Sequence, residues 1–236
     1  MLLAGYVPSS LIDFPGRVSA VAFSQGCTLR CPWCHNAPLV HTGEAAAHTQ
    51  TQDTGEHEER LRNFFAFLER RRGLLAGVVI SGGEPCIHAD LAEFLGRIRS
   101  MGFLTKLDTN GTRPQMLASL LEAKLVDLAA MDIKGPRDRY AELCGVAESA
   151  LPWDAIRESI RILAGRQEPH LFRTTCMEPQ FDTEAVMRMR ELVPKGIPWH
   201  LQPYKEGSAA LDPAFTARAP APQILEDWQR RIDERG

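Results

Sequence analysis

Apolar, β-branched runs recur along this chain, each followed by a segment of helical period, and that alternation restricts the fold more than any other feature. Six such units can be read, with candidate strands over 18–24, 77–81, 105–109, 125–133, 171–176 and 197–202. Leu61, Phe64, Phe65 and Leu68 recur at i, i+3, i+4, i+7, as do Leu91, Phe94, Leu95 and Ile98, so both stretches are expected to be amphipathic helices. Weaker helical patterns cover 116–121, 156–163, 186–193 and 225–232. Repeated βα units imply a parallel sheet with right-handed crossovers and hence an α/β protein. Six units are too few to close the usual eight-stranded barrel. Periodicity leaves open both a partial barrel and a doubly wound sheet.

A chain of 236 residues can bury roughly three quarters of its unfolded surface, so the fold needs no covalent staples. No internal repeat or linker divides it, and one domain over 1–236 is expected, with a core over about 11–202 and a C-terminal helical segment over about 221–235. The composition, 44% hydrophobic and 24% charged, is that of a globular protein. A net charge of −3, from 27 basic and 30 acidic residues, gives no whole-molecule field toward nucleic acid or an anionic membrane, and neither is expected as a partner. The N-terminus lacks a basic stretch, its apolar start is broken at Pro8 and Asp13, and no apolar run approaches the ~20 residues that span a bilayer. A cytoplasmic location is therefore expected. There the six cysteines, Cys27, Cys31, Cys34, Cys86, Cys144 and Cys176, point to metal or redox chemistry before disulfides.

The segment 41–59 has no apolar period and reads as a solvated loop, with His41, His48 and His57 as solvated side chains. The Arg70, Arg71, Arg72 run ahead of Gly73 reads as a helix end, where cations suit the dipole.

Cys27, Cys31 and Cys34 form C-x3-C-x2-C directly after the first candidate strand, a spacing that chance would give on the order of 0.004 times per chain of this composition. Three thiolates on an eight-residue loop suit a soft metal centre, iron–sulfur or zinc. Structural zinc closes its shell with four protein ligands, commonly as two pairs, and no second pair exists here. A cubane cluster on three thiolates keeps one iron open for a substrate or cofactor.

The second strand runs into Ser81, Gly82, Gly83, Glu84, Pro85, where paired glycines allow close backbone approach and the carboxylate accepts from an ammonium group. The third runs into Asp108, Thr109, Asn110, Gly111 and the fourth into Asp132, Ile133, Lys134, while Gln202 and Tyr204 fall at the end of the sixth. All of them lie at the carboxyl ends of successive parallel strands, the face on which α/β proteins build active sites.

C-x3-C-x2-C with Trp33 before the last cysteine, followed by Gly-Gly-Glu-Pro, resembles the radical S-adenosylmethionine (SAM) superfamily. The run from Ser10 to Gly16, the Asp108-Thr109-Asn110-Gly111 stretch and Met131-Asp132-Ile133-Lys134 are similar to activating enzymes of glycyl-radical proteins, the anaerobic ribonucleoside-triphosphate reductase activating proteins above all. The resemblance implies a partial (β/α)6 barrel. It also implies that the catalytic and metal-binding Cys27, Cys31 and Cys34 hold a [4Fe–4S] cluster, with SAM on the fourth iron. Gly82, Gly83 and Glu84 would then take the methionyl ammonium, Lys134 the carboxylate and Asp108 polar groups of the cofactor, with Trp33 near the adenine. A monovalent cation near Asp108, Thr109 and Asp132 is a further implication. The implied reaction is reductive cleavage of SAM to a 5′-deoxyadenosyl radical, which makes a glycyl radical on a partner, with flavodoxin or ferredoxin as electron donor.

Asp13-Phe14-Pro15-Gly16 stands where pyruvate formate-lyase activases typically read Asp-Gly-Pro-Gly, which favours the reductase branch. The 41–59 segment has no cysteine, so one cluster is expected. Cys86, Cys144 and Cys176 receive no role. The alternatives are a small-molecule radical SAM enzyme, such as a 7-carboxy-7-deazaguanine synthase, and a zinc-stabilised binding module.

Overall fold

The structure is a computed structural model that describes residues 1–40, 54–167, 169–207 and 210–234. Its strands are β1 (Leu3–Ser10), β2 (Ser19–Ser24), β3 (Gly77–Gly82), β4 (Leu104–Thr109), β5 (Leu128–Asp132), β6 (His170–Cys176) and β7 (Trp199–Pro203), hydrogen-bonded in that order in one sheet. Its helices are α1 (Thr54–Arg70), α2 (Leu91–Ser100), α3 (Pro114–Glu122), α4 (Tyr140–Leu143), α5 (Trp153–Ala164), α6 (Thr183–Met189) and α7 (Pro222–Glu234). β2 and β3 pair in parallel from Ser19 opposite Gly77 to Ser24 opposite Gly82, and β3 with β4 and β6 with β7 are parallel too. The expected α/β class with a parallel sheet is therefore found.

The chain divides into two compact units, Met1–Thr28 with Pro38–Thr109 and Gln115–Ala129, and Leu29–Ala37 with Asn110–Pro114 and Ala130–Gly236. In the first, Phe14, Val21 and Val79 form a buried cluster with Phe23, Leu104 and Leu128 against it. The apolar face of α1 supplies Phe64, Phe65 and Leu68, and α2 supplies Leu91, Phe94, Leu95 and Ile98, all buried. The Phe64 and Phe94 rings stack with centroids 5.8 Å apart. α1 ends at Arg70, before Gly73 at φ +76°, as the arginine run indicated. In the second unit, α5 buries Ile156, Ile160 and Leu163, and Ser159 Oγ donates to the Gly111 carbonyl at 2.7 Å. Trp228 of α7 donates from Nε1 to Thr183 Oγ1 at 2.9 Å.

Four expectations change. β1 was not foreseen: Gly5, Pro8 and the Ser9-Ser10 pair dilute its alternation, and it pairs antiparallel with β2 across two register shifts. The strand expected over 125–133 is only Leu128–Asp132, because Lys124 turns at φ +52° and the Leu125 N–H closes back on the Leu120 carbonyl at 2.9 Å. The loop expected over 41–59 is helical from Thr54, where Glu56 in the first turn suits the dipole and the outward face needs no apolar period. His57 therefore stands on α1, whereas His41, His48 and the rest of 41–53 lie outside the described residues. The helical pattern over 186–193 forms earlier, as Thr183–Met189, because Asp182 caps it by accepting from Ala185 N at 2.7 Å.

Candidate active site

In the first unit, β2 ends at Ser24, and the half-buried Cys27 follows two residues after Gln25, whose N–H donates to the Leu2 carbonyl at 2.9 Å. The Gly26 N–H donates to Leu39 O at 2.6 Å. β3 ends beside this turn. Gly83 N–H donates to Ser24 O at 3.0 Å and Glu84 N–H to Gly26 O at 2.8 Å. Gly82 has φ +113°, and a Cβ on Gly83 would stand 2.0 Å from the Gly26 carbonyl oxygen. The close approach these glycines permit is thus to the chain's own backbone ahead of Cys27. Gly83→Ala is expected to cost about 2–3 kcal/mol by overpacking, read as a lower urea midpoint, with Gly5→Ala, which meets nothing within 4 Å, as the control. Equal midpoints for the two variants would contradict it.

Glu84 is fully buried. Its Oε1 accepts from Cys86 N–H at 3.0 Å and from Thr109 Oγ1 at 2.8 Å, so the ends of β3 and β4 fix one carboxylate together. Burial, then the Glu84 charge, push the Cys86 thiol well above its ordinary range. Asp108 is buried in an ion pair with Lys106 and accepts from Ser81 Oγ at 3.1 Å.

In the second unit, Cys31 and Cys34 share a turn, the Cys34 N–H donating to Cys31 O at 3.0 Å. The loop is anchored at Arg30, whose N–H donates to Cys144 O at 2.9 Å, and a Cβ on Gly145 would lie 2.1 Å from the Arg30 carbonyl oxygen. A hydrogen bond from the Cys144 side chain holds the Cys31 thiol below its ordinary range against burial, with Lys134 assisting, whereas burial raises Cys34. Trp33 is buried, and its Nε1 donates to Leu143 O at 2.8 Å. The Lys134 ammonium lies 5.1 Å from the centre of the Trp33 ring. Asp132 accepts from Lys134 Nζ at 2.9 Å and from Arg173 Nε at 2.7 Å. Burial alone would raise this carboxyl, but Arg173 and Lys134 outweigh it and hold it well below the carboxylate range, while Asp132 in turn holds Lys134 protonated. Gln202 Nε2 donates to Thr175 Oγ1 at 2.9 Å, and the Tyr204 ring packs 4.7 Å from that of His35.

The site residues read from the sequence thus fall into two groups. Cys27, Gly82, Gly83, Glu84, Asp108 and Thr109 stand in the first, and Cys31, Trp33, Cys34, Asp132 and Lys134 in the second. Three partners were missed: Arg173, Lys106 and Cys144. An arginine amid Leu171, Phe172 and Thr174 and a lysine between Thr105 and Leu107 were visible signals for the first two. Among the described residues, no three His, Cys, Asp or Glu side chains already stand together as a metal-holding group. What fits an iron–sulfur cluster is the donor chemistry: three soft sulfur ligands on one short loop, none of them in a disulfide.

Glycine-rich turns and polar side chains at the carboxyl ends of parallel strands are where α/β proteins bind their ligands. The Radical SAM superfamily model matches residues 21–192. The chain belongs to the radical SAM superfamily, and membership implies a [4Fe–4S] cluster and SAM. Over 142 residues it is 36% identical to a protein of Methanocaldococcus jannaschii provisionally named a glycyl-radical enzyme activating enzyme, covering 60% of this chain and 53% of that one. Over 129 residues it is 33% identical to the pyruvate formate-lyase-activating enzyme of Listeria monocytogenes, covering 52% and 49%. The chain thus spans about half the length of these curated relatives. A radical SAM methyltransferase from Sphaerobacter thermophilus superposes with TM-score 0.69 at 17% identity, over 94% of this chain and 65% of that one. A domain of the pyruvate-formate lyase-activating enzyme of Bacteroides vulgatus superposes with TM-score 0.51 at 19% identity, over 68% and 94%. These likenesses bear out the radical SAM fold that the sequence implied. Among the described residues, no helix is long and apolar enough to cross a membrane.

Proposed function

We propose that this chain is an activating enzyme that uses SAM to make a glycyl radical on a partner protein. The observation that carries the reading is the 36% identity to an M. jannaschii chain named for that activity, together with the thiol loop that the superfamily requires. Cys27, Cys31 and Cys34 would hold the [4Fe–4S] cluster, Gly82, Gly83 and Glu84 the methionyl ammonium, Lys134 the carboxylate and Asp108 further polar groups, with Trp33 near the adenine. When bound, the cluster and SAM supply one-electron reductive cleavage to a hydrogen-abstracting 5′-deoxyadenosyl radical. A flavodoxin or ferredoxin would deliver the electron.

The chain's own residues orient and charge this site. Glu84 is pinned through Oε1 by the Cys86 N–H and the Thr109 hydroxyl, so its carboxylate cannot swing. Trp33 is locked by its bond to Leu143 O. Asp132 keeps Lys134 protonated and oriented. The carboxylates of Asp108 and Asp132 are paired with Lys106, Lys134 and Arg173, and a monovalent cation near Asp108, Thr109 and Asp132 is part of the same proposal.

For the partner we propose an anaerobic ribonucleoside-triphosphate reductase. Support comes from Phe14, which is 5% exposed and packs in the core with Val21 and Val79 where the other activase branch carries glycine. Anaerobic reconstitution with iron and sulfide, followed by reduction with SAM, is expected to release 5′-deoxyadenosine. Mixing with the candidate reductase is expected to leave a glycyl radical in the paramagnetic resonance spectrum. A fully loaded cluster that yields no 5′-deoxyadenosine sinks the activity. A radical that forms on pyruvate formate-lyase and not on the reductase sinks the partner.

A further inference from the structure

The mechanism leaves Cys144 without a task, although it is fully buried on the turn that anchors the cysteine loop. Its backbone carbonyl takes the Arg30 N–H at 2.9 Å, the next residue, Gly145, has no room for a Cβ against Arg30, and its side chain is hydrogen-bonded to that of Cys31. Neither cysteine is in a disulfide. Two thiols in side-chain contact, on segments whose backbones touch, need little movement to reach disulfide geometry. Cys86 and Cys176 are buried elsewhere, Cys86 beside Glu84 and Cys176 on β6.

We propose that Cys31 and Cys144 are a redox pair, in which Cys144 captures Cys31 as a disulfide when peroxide reaches the cluster-free loop. Cys31 Sγ attacks one oxygen of hydrogen peroxide, the O–O bond breaks, and hydroxide leaves with the thiol proton as water. Cys31 is then a sulfenic acid. Cys144 Sγ attacks the Cys31 sulfur, the S–O bond breaks, and the oxygen departs as water with the Cys144 proton. Two thiols lose two electrons, and one peroxide becomes two waters. The disulfide is reversible by thiols, whereas sulfinic acid is not, so Cys144 preserves Cys31 for reloading. Only this last consequence rests on the reading of Cys31 as a cluster ligand.

The test treats the cluster-free full chain with stoichiometric hydrogen peroxide, blocks remaining thiols and maps peptides by mass spectrometry. Trypsin cuts after Arg30 and Arg139, which separates Cys27 from Cys31 and releases Cys144 on the peptide that begins at Tyr140. A Cys31–Cys144 link, lighter by two hydrogens, is expected, together with loss of iron uptake that dithiothreitol restores. Cys144→Ser is expected to give no such link and to accumulate dimedone-reactive Cys31, and with excess peroxide, which carries that sulfenic acid on to sulfinic acid, to lose iron uptake beyond rescue by dithiothreitol. Linkage of Cys31 to Cys27 or Cys34, or a Cys144 that stays open to alkylation, would overturn the pair. If the link forms but Cys31→Ala still takes up full iron, the pair stands and the ligand reading fails. No link with iron lost in Cys31→Ala means the reverse.

Discussion

Cys31→Ala is expected to lose the iron–sulfur centre and with it all SAM cleavage, whereas Cys144→Ala keeps both. Iron and acid-labile sulfide per chain after anaerobic reconstitution are the measure. A cubane on three protein thiolates has no spare ligand, so removing one leaves two irons open and the cluster exchangeable. The loss should exceed the roughly 10–100-fold that removal of an outer partner causes at metal sites. Cys144 differs because it touches Cys31 and lies outside the three-cysteine loop. Its removal takes away one hydrogen bond and a small buried side chain, so the chain still folds and loads. Equal iron in the two variants would refute the ligand assignment.

Asp132→Asn is expected to destabilise the second unit strongly. It strips the shared anion from Lys134 and Arg173 and leaves two cations facing each other with little solvent access. Breaking a buried ion pair on one side costs about 3–5 kcal/mol. At ~2–4 °C per kcal/mol for a chain of this size, the midpoint should fall by roughly 6 °C or more. The pH dependence follows from the depressed carboxyl. Because its folded value lies below its unfolded one, the stabilisation is fully present above the unfolded value of about 3.9 and fades as the pH falls below it. The unaltered chain and Asp132→Asn should therefore differ most near neutrality and converge in acid. Parallel curves across that range would show that Asp132 carries no such linkage.

The parallel strands were legible because β-branched runs bounded by glycines and polar turns mark buried strands, and β2, β3 and β4 fall within a residue of the expected bounds. β1 was not legible: its partner is antiparallel and its apolar residues are interrupted by Gly5 and Pro8, so its evidence is the pairing itself. In the site, the motif residues were readable because local spacing carried them. Their holders were not. Nothing near Trp33 in the sequence announces the Leu143 carbonyl, and nothing near Cys31 announces Cys144, since these contacts join segments far apart in the chain. The Gly82-Gly83 pair shows another limit. Its presence was readable, but its reason is a crowded backbone around Ser24 and Gly26.

The missing side chain at Gly145 also bears on how relatives of this chain can diverge. With Arg30's carbonyl oxygen 2.1 Å from where a methyl group would sit, any mutation at Gly145 displaces the peptide ahead of Cys31. A lineage that acquires a bulkier residue there must re-route the cysteine loop in the same step. Across descendants, the two stretches should therefore change in concert or not at all.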